Sequence, residues 1–287
     1  MSGGGEAAAW PATSIHPRAP PCTIDLYKTG HEYEDIGATW DWQRLPGATV
    51  QVNGTQLNCS TSDSQGVLPN VGGVTDGLVG MSYMDFAQPA YGQVIAARKT
   101  AVFTDAALLF LGAAISSAPQ SRVTTTVESR LLAADGVVAA GLGGRGPLTQ
   151  LTVGTHVLPS PAPGAPLLVY HGGTGYVFPA DPTGVGRAGA AVTVSLGPVT
   201  GSWEVLNGDP NAPNVTNDMF TLVLDHGSPP VSAATYGAPV MGAACAYIAP
   251  LCCAILLVVQ PTTCSLTRRW RNSNPLPGSM LLETLLS

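Results

Sequence analysis

The sequence predicts an all-β fold, a sandwich of antiparallel sheets, and three observations predict it. Glycine (34) and proline (25) together make about one residue in five of the 287, a density that interrupts helices of useful length. Short β-branched or aromatic runs bounded by Gly, Pro, Asn or Asp recur from Thr23 to Val259, whereas no 3.6-residue apolar stripe stands out before the last fifth of the chain. Hydrophobic residues are 45% of the chain and charged residues 10%, with a mean hydropathy of +0.22, which supplies a core and argues against intrinsic disorder.

Residues 1–22, rich in Gly, Ala and Pro, read as an irregular lead-in to a domain over 23–240. Within it Arg122–Glu128 alternates, with Val123, Thr125 and Val127 on one face and Thr124, Thr126 and Glu128 on the other, which predicts a half-buried strand. Leu167–His171 and Gly175–Phe178 flank Gly172–Gly173 and predict a hairpin. Ala191–Leu196 and Met219–Asp225 predict two more strands. Ala101–Ile115 is compatible with a helix on its alanines, but two strands hinged at Asp105 fit the all-β setting better. The proline-rich Leu158–Pro166 is a loop, and Asp76 and Asp225, each near a glycine, are turn formers.

Residues 241–287 differ in kind. Gly242–Val259 is an uncharged, mostly apolar run followed by Arg268, Arg269 and Arg271, the pattern of a marginal membrane span, although Pro250 interrupts it. With a net charge of −6 and only Lys28 and Lys99 as lysines, the chain has no basic stripe suited to nucleic acid. Four of the six cysteines crowd the end of the chain, so no disulfide framework or metal pair is read from them, and no cofactor is expected. Asn53, Asn58 and Asn214 begin Asn-x-Ser/Thr acceptors that suit a secreted surface, while the first residues show no signal-peptide pattern.

The densest chemistry lies in Gly30–Ile36 and Thr39–Val50. In an extended chain Trp40 and Trp42 point the same way and form a platform on which a sugar ring stacks; packing into the core is the other reading. Glu32 or Glu34 can serve as a general acid or base, although a carboxylate in an exposed turn is ordinarily just solvated. His31, His171 and His226 have no histidine partner at helical spacing, so metal ligation is unsupported.

The run His31–Ile36 followed by Trp40-Asp-Trp-Gln-Arg-Leu-Pro-Gly-Ala-Thr-Val50 resembles the signature of polysaccharide lyase family 8, the hyaluronate, chondroitin and xanthan lyases. Gly72–Gly77, Ala97–Ile115, Thr124–Glu128, His171–Pro179, Gly201–Asn207 and Asp225–Pro229 continue the likeness in the family's order. The resemblance implies the family's central domain, a large antiparallel supersandwich of the galactose-mutarotase-like kind, here incomplete at its C-terminal end. It implies β-elimination at a uronic acid, with an acidic polysaccharide as partner and an extracellular setting. It also implies that most of that chemistry belongs to an Asn, His, Tyr and Arg set on a preceding helical catalytic domain. Only about 22 residues precede the first matched block, so the chain alone is expected to be inactive. Glu32 matches the family's acid near the catalytic set, as an auxiliary acid, with Trp40, Trp42 and Arg44 as substrate-binding neighbours. Ala48, Ala101 and Ala106 depart from the family's usual Thr, Trp and acid. The alternatives are a non-catalytic carbohydrate-binding module, membrane-tethered through residues 242–259, and an inactive fragment.

Overall fold

A computed structural model describes residues 24–52, 68–90, 93–104, 107–118, 121–134, 139–142, 149–158, 167–178, 191–227, 234–236 and 254–259. Strands come first in chain order as β1 (Thr49–Gln51), β2 (Val71–Thr75), β3 (Gly80–Ala90), β4 (Gln93–Phe103), β5 (Ala107–Ala118), β6 (Val123–Leu131), β7 (Ala139–Leu142) and β8 (Thr149–Gln150). They continue as β9 (Gly154–Leu158), β10 (Leu167–His171), β11 (Thr174–Phe178) and β12 (Ala191–Ser202), then the short helix α1 (Glu204–Asn207), β13 (Asn214–Asp225), β14 (Ala234–Tyr236) and β15 (Ala254–Val259). All ladders among the described residues are antiparallel.

One sheet has the order β1-β6-β13-β12-β9; the larger runs β2-β3-β4-β5-β15-β11-β10-β7-β8, with β14 also paired to β5. Ile115, Val169 and Phe178 of the larger sheet and Val192, Val194, Phe220 and Leu222 of the smaller are buried in one apolar core. Each such side chain contributes roughly 1.5–3 kcal/mol through the water it leaves. The strand β12 shows the simple pattern, with Val192, Val194 and Leu196 inward and Ala191, Thr193 and Ser195 partly exposed.

The predicted hairpin is present as β10 and β11, turning at Gly172 and Gly173, which adopt φ of 54° and 75°. Thr104, whose hydroxyl and N–H both engage Ala107, closes the predicted break between β4 and β5; Asp105 itself lies outside the described residues. Asp76 and Asp225 do form turns, accepting from Leu78 and Val79 N–H and from Gly227 N–H respectively.

The strand β6 departs from the half-buried expectation, because every residue from Val123 to Arg130 is buried. It lies between β1 and β13, and residues 47–48 continue the β1 edge, Gly47 N–H donating to Thr126 O and Thr126 N–H to Ala48 O, both at 2.9 Å, while Thr39 reaches Met219 Sδ of β13 at 3.8 Å from the side away from the core. A bulge adds a second departure. Leu222 pairs with Glu128 while the next residue, Val223, pairs with Thr126, so Val127 has no partner in β13. Glu128 therefore shares the inward face with Thr125, against the simple alternation.

At the other end of the chain, Ala254–Val259 pairs with β5 and β11, so the larger sheet takes in residues beyond 240. No helix among the described residues is long and apolar enough to cross a membrane. Residues 242–253, the proline-rich loop from 159 onward, all six cysteines, Asn53 and Asn58 lie outside the described residues.

Candidate functional site

Four consecutive residues of β6 hold four parts of one site. Glu128 accepts from the Tyr33 hydroxyl at 2.7 Å and the Tyr176 hydroxyl at 2.9 Å. The next carbonyl, Ser129 O, accepts from Trp40 Nε1 at 3.0 Å. Arg130 donates to His171 O at 2.9 Å and approaches His171 Nδ1 at 3.3 Å. Leu131 N–H donates to Glu32 O at 3.0 Å. A sheet-centre strand thus sets the position of an irregular loop lying some ninety residues earlier in the chain.

That loop carries a row of rings. Tyr27 and Tyr33 meet edge-on at 5.1 Å between centroids, Tyr33 and Trp40 at 5.8 Å, and Trp40 and Trp42 at 5.6 Å and 60°. Such spacings are those of favourable aromatic pairs. Residues 36–47 are a chain of turns, not the extended segment in which Trp40 and Trp42 would point the same way, and the two indole planes meet at 60°. Their N–H groups are engaged by backbone, Trp42 Nε1 donating to Gly37 O at 3.0 Å, while both side chains stay half-buried. Arg44 sits beside them, paired with Asp41 at 3.4 Å. The loop lies close on β12: Ala38 O abuts Gly201 where a Cβ would be, and Trp203 packs over Gly37.

Glu32 is used locally. Its Oε1 accepts from Lys28 N, Thr29 N and the Thr29 hydroxyl, and its Oε2 from Gly30 N, at 2.8 to 3.1 Å. Burial alone raises such a carboxyl, but the bonds from Thr29 and Lys28 outweigh it and hold the group down at about 2. At neutral pH this is a fixed negative charge that orders residues 28–30, and it has no proton to give. The nearby His31 and Glu34 pair with each other at 2.7 Å on the surface.

Beneath the ring row lies a buried charged cluster that the alternating pattern concealed. Burial pushes the Glu128 carboxyl up, while the Arg130 charge and the two tyrosine hydroxyls pull it back. Tyr33 and Tyr176 are held far above the usual phenol range, first by burial and then by the Glu128 charge. His171, stacked on Phe220 at 4.1 Å, is pushed down to about 3 by burial and by Arg130, and its Nε2 accepts from Ala133 N–H at 3.0 Å. An acid and a base two residues apart in an otherwise uncharged strand, Glu128 and Arg130, were the signal for this cluster in the sequence. His226 lies elsewhere, on Thr125 at 2.8 Å.

A separate apolar cavity of about 160 Å³ opens between the sheets below Gly47. Lys99 lines it, donates to Gly47 O and stands 5.4 Å from the Phe86 ring centroid.

Comparison with known proteins gives a consistent result. The family model described as "Polysaccharide lyase family 8, super-sandwich domain" matches residues 21–243. Chondroitinase-AC of Pedobacter heparinus is 30% identical over 205 residues, 71% of this chain and 26% of that protein. Hyaluronate lyase of Thermasporomyces composti is 32% identical over 209 residues, 71% of this chain and 24% of that protein. The solved structure of a Paenibacillus xanthan lyase superposes with a TM-score of 0.57 at 26% identity, over 82% of this chain and 20% of that one. The chain therefore spans about a quarter of the length of the curated relatives it matches.

Proposed function

This chain belongs to polysaccharide lyase family 8, and from that premise we propose that it forms one wall of a cleft that binds an acidic, uronate-containing polysaccharide for β-elimination. The observation that carries the reading is the row Tyr27, Tyr33, Trp40 and Trp42, held at fixed spacing by β6 and flanked by Lys28 and Arg44. Sugar rings stack on aromatic faces, and cations beside them favour a polyanion. The relatives named for chondroitin, hyaluronate and xanthan support an acidic polymer as ligand.

In β-elimination the uronate carboxylate is neutralised, a base takes the proton beside it and an acid protonates the departing glycosidic oxygen, leaving an unsaturated uronate. Glu32, fixed as an anion, orders the wall and sets its potential; it is not the proton donor. The proton transfers belong to the Asn, His, Tyr and Arg set that the family resemblance implies on a helical domain. The reading includes action outside the cell, where the exposed Asn214 acceptor at the start of β13 suits the setting. Pairing of Ala254–Val259 with β5 and β11 favours the sandwich over a membrane for that part of the apolar run.

Calorimetric titration of the chain with hyaluronan, chondroitin sulfate and xanthan oligosaccharides tests this. Binding to at least one, weakened by Trp42→Ala, is expected; absence of binding to all three sinks the proposal. The same mixtures should show no ultraviolet signal of unsaturated uronate, and a clear signal would move the proton transfers onto this chain.

A further inference from the structure

Among the described residues the Lys and Arg side chains are Lys28, Arg44, Arg98, Lys99, Arg122 and Arg130. Arg44, Arg98 and Arg122 face Asp41, Asp85 and Asp225. Lys99 and Arg130 are buried. Lys28 alone of these is exposed and has a backbone carbonyl, Gly173 O at 3.3 Å, as its side-chain partner.

Its place is fixed from three sides. Glu32 Oε1 accepts from Lys28 N at 3.0 Å and locks the backbone. The preceding Tyr27 ring packs on Tyr33 and begins the aromatic row. The ammonium lies over Gly173, in the space a Cβ there would occupy, and φ of 75° at Gly173 independently disfavours a side chain. Gly173 belongs to the turn that follows His171, and His171 O is held by Arg130. The lysine is thus a preset positive charge at the end of the ring row, with only a weak neutral acceptor to leave.

We propose that Lys28 is a specificity-determining residue, the cation that receives an acidic group of the polysaccharide, carboxylate or sulfate ester, while its sugar rings lie on Tyr27 and the tryptophans. This rests on the proposed function and names a selecting contact within it. A long flexible ammonium trades the Gly173 carbonyl for an anionic oxygen without disturbing Glu32, because Glu32 holds the backbone N–H and not the side chain.

The test titrates the intact chain and Lys28→Met, Lys28→Arg and Tyr27→Ala variants with three ligands. Hyaluronan carries carboxylates only, carboxyl-reduced chondroitin sulfate carries sulfates only, and chondroitin sulfate carries both. Lys28→Met should weaken binding roughly three- to fivefold, lower the slope of log affinity against log salt by about one, and leave the melting temperature in place. Lys28→Arg should restore most of the affinity. Loss on hyaluronan with none on the carboxyl-reduced polymer assigns the contact to carboxylate; the reverse assigns it to sulfate. If the wild type binds and Tyr27→Ala weakens it, yet Lys28→Met changes neither affinity nor salt slope, this inference fails and the cleft-wall reading stands. If the wild type binds none of the three, the cleft-wall reading itself fails.

Discussion

The Tyr33 hydroxyl donates to Glu128 at 2.7 Å while accepting from Leu26 N–H at 3.0 Å, joining an irregular surface loop to the centre of a sheet. Glu128 holds a second phenol, Tyr176, on its other oxygen. Tyr33→Phe keeps the ring contacts and removes both bonds. A loss of about 1–3 kcal/mol is expected, because a buried acceptor is left short of a donor. Urea unfolding at unchanged m-value measures it, and a loss below a few tenths of a kcal/mol would mean that Glu128 finds another donor.

Glu32→Gln tests the turn at residues 28–30. Its carboxyl is held at about 2, below its ordinary 4.5, so its contribution is fully present above about pH 4.5 and is lost as pH falls toward 2. The glutamine variant should be less stable than wild type at pH 7 by about 0.5–1.5 kcal/mol, and the two should converge near pH 2. A constant gap across that range would show that the charge is irrelevant.

His171 covers a different window. Its folded value of about 3 lies below the ordinary 6.5, so the folded state excludes a proton that the unfolded state takes up. Stability from this group is whole above about pH 6.5 and declines as pH drops from there toward 3. Thermal melts at pH 6.5, 5.5 and 4.8, above the window of Glu32, should show a steeper fall for wild type than for His171→Gln. Parallel curves would contradict the assignment.

Gly201→Ala probes how the loop sits on β12. A methyl there meets Ala38 O, a backbone atom that moves only with the whole loop. The expected result is a loss of about 1–3 kcal/mol from overpacking, accompanied by weaker oligosaccharide binding as Trp40 shifts. Near-ultraviolet circular dichroism of the tryptophans reports the displacement directly, and an unchanged spectrum would count against it.

Much of the fold was readable from local chemistry. The Gly172–Gly173 turn, the break after Phe103 and the aspartate turns depend on residues adjacent in sequence. What was not readable depends on distant covers. Alternation in Arg122–Glu128 implied a wet face, but every residue from Val123 to Arg130 is buried, and the sequence around them does not show what flanks them. Trp40 and Trp42 share a face only if the chain between them is extended, and the turn at Asp41, which accepts from Gln43 N–H and Arg44 N–H, bends it. Glu32 was read as an auxiliary acid or a solvated carboxylate; that it accepts from the N–H groups of its own turn follows from coordinates, not from composition.

The extra residue at Val127 makes β6 a strand with two offices. Upstream of it, Thr125 reaches Thr49 and His226; downstream, Glu128, Ser129 and Leu131 hold the loop and Arg130 holds His171. Were Val127 drawn into a regular ladder, the downstream half would rotate by one face while the upstream ladder stayed in register. Glu128 would then turn away from Tyr33 and Tyr176, and Trp40 would lose its carbonyl. One irregular residue therefore acts as the phase setting of the cleft wall, so that the binding surface and the sheet register can be inherited, or lost, only together.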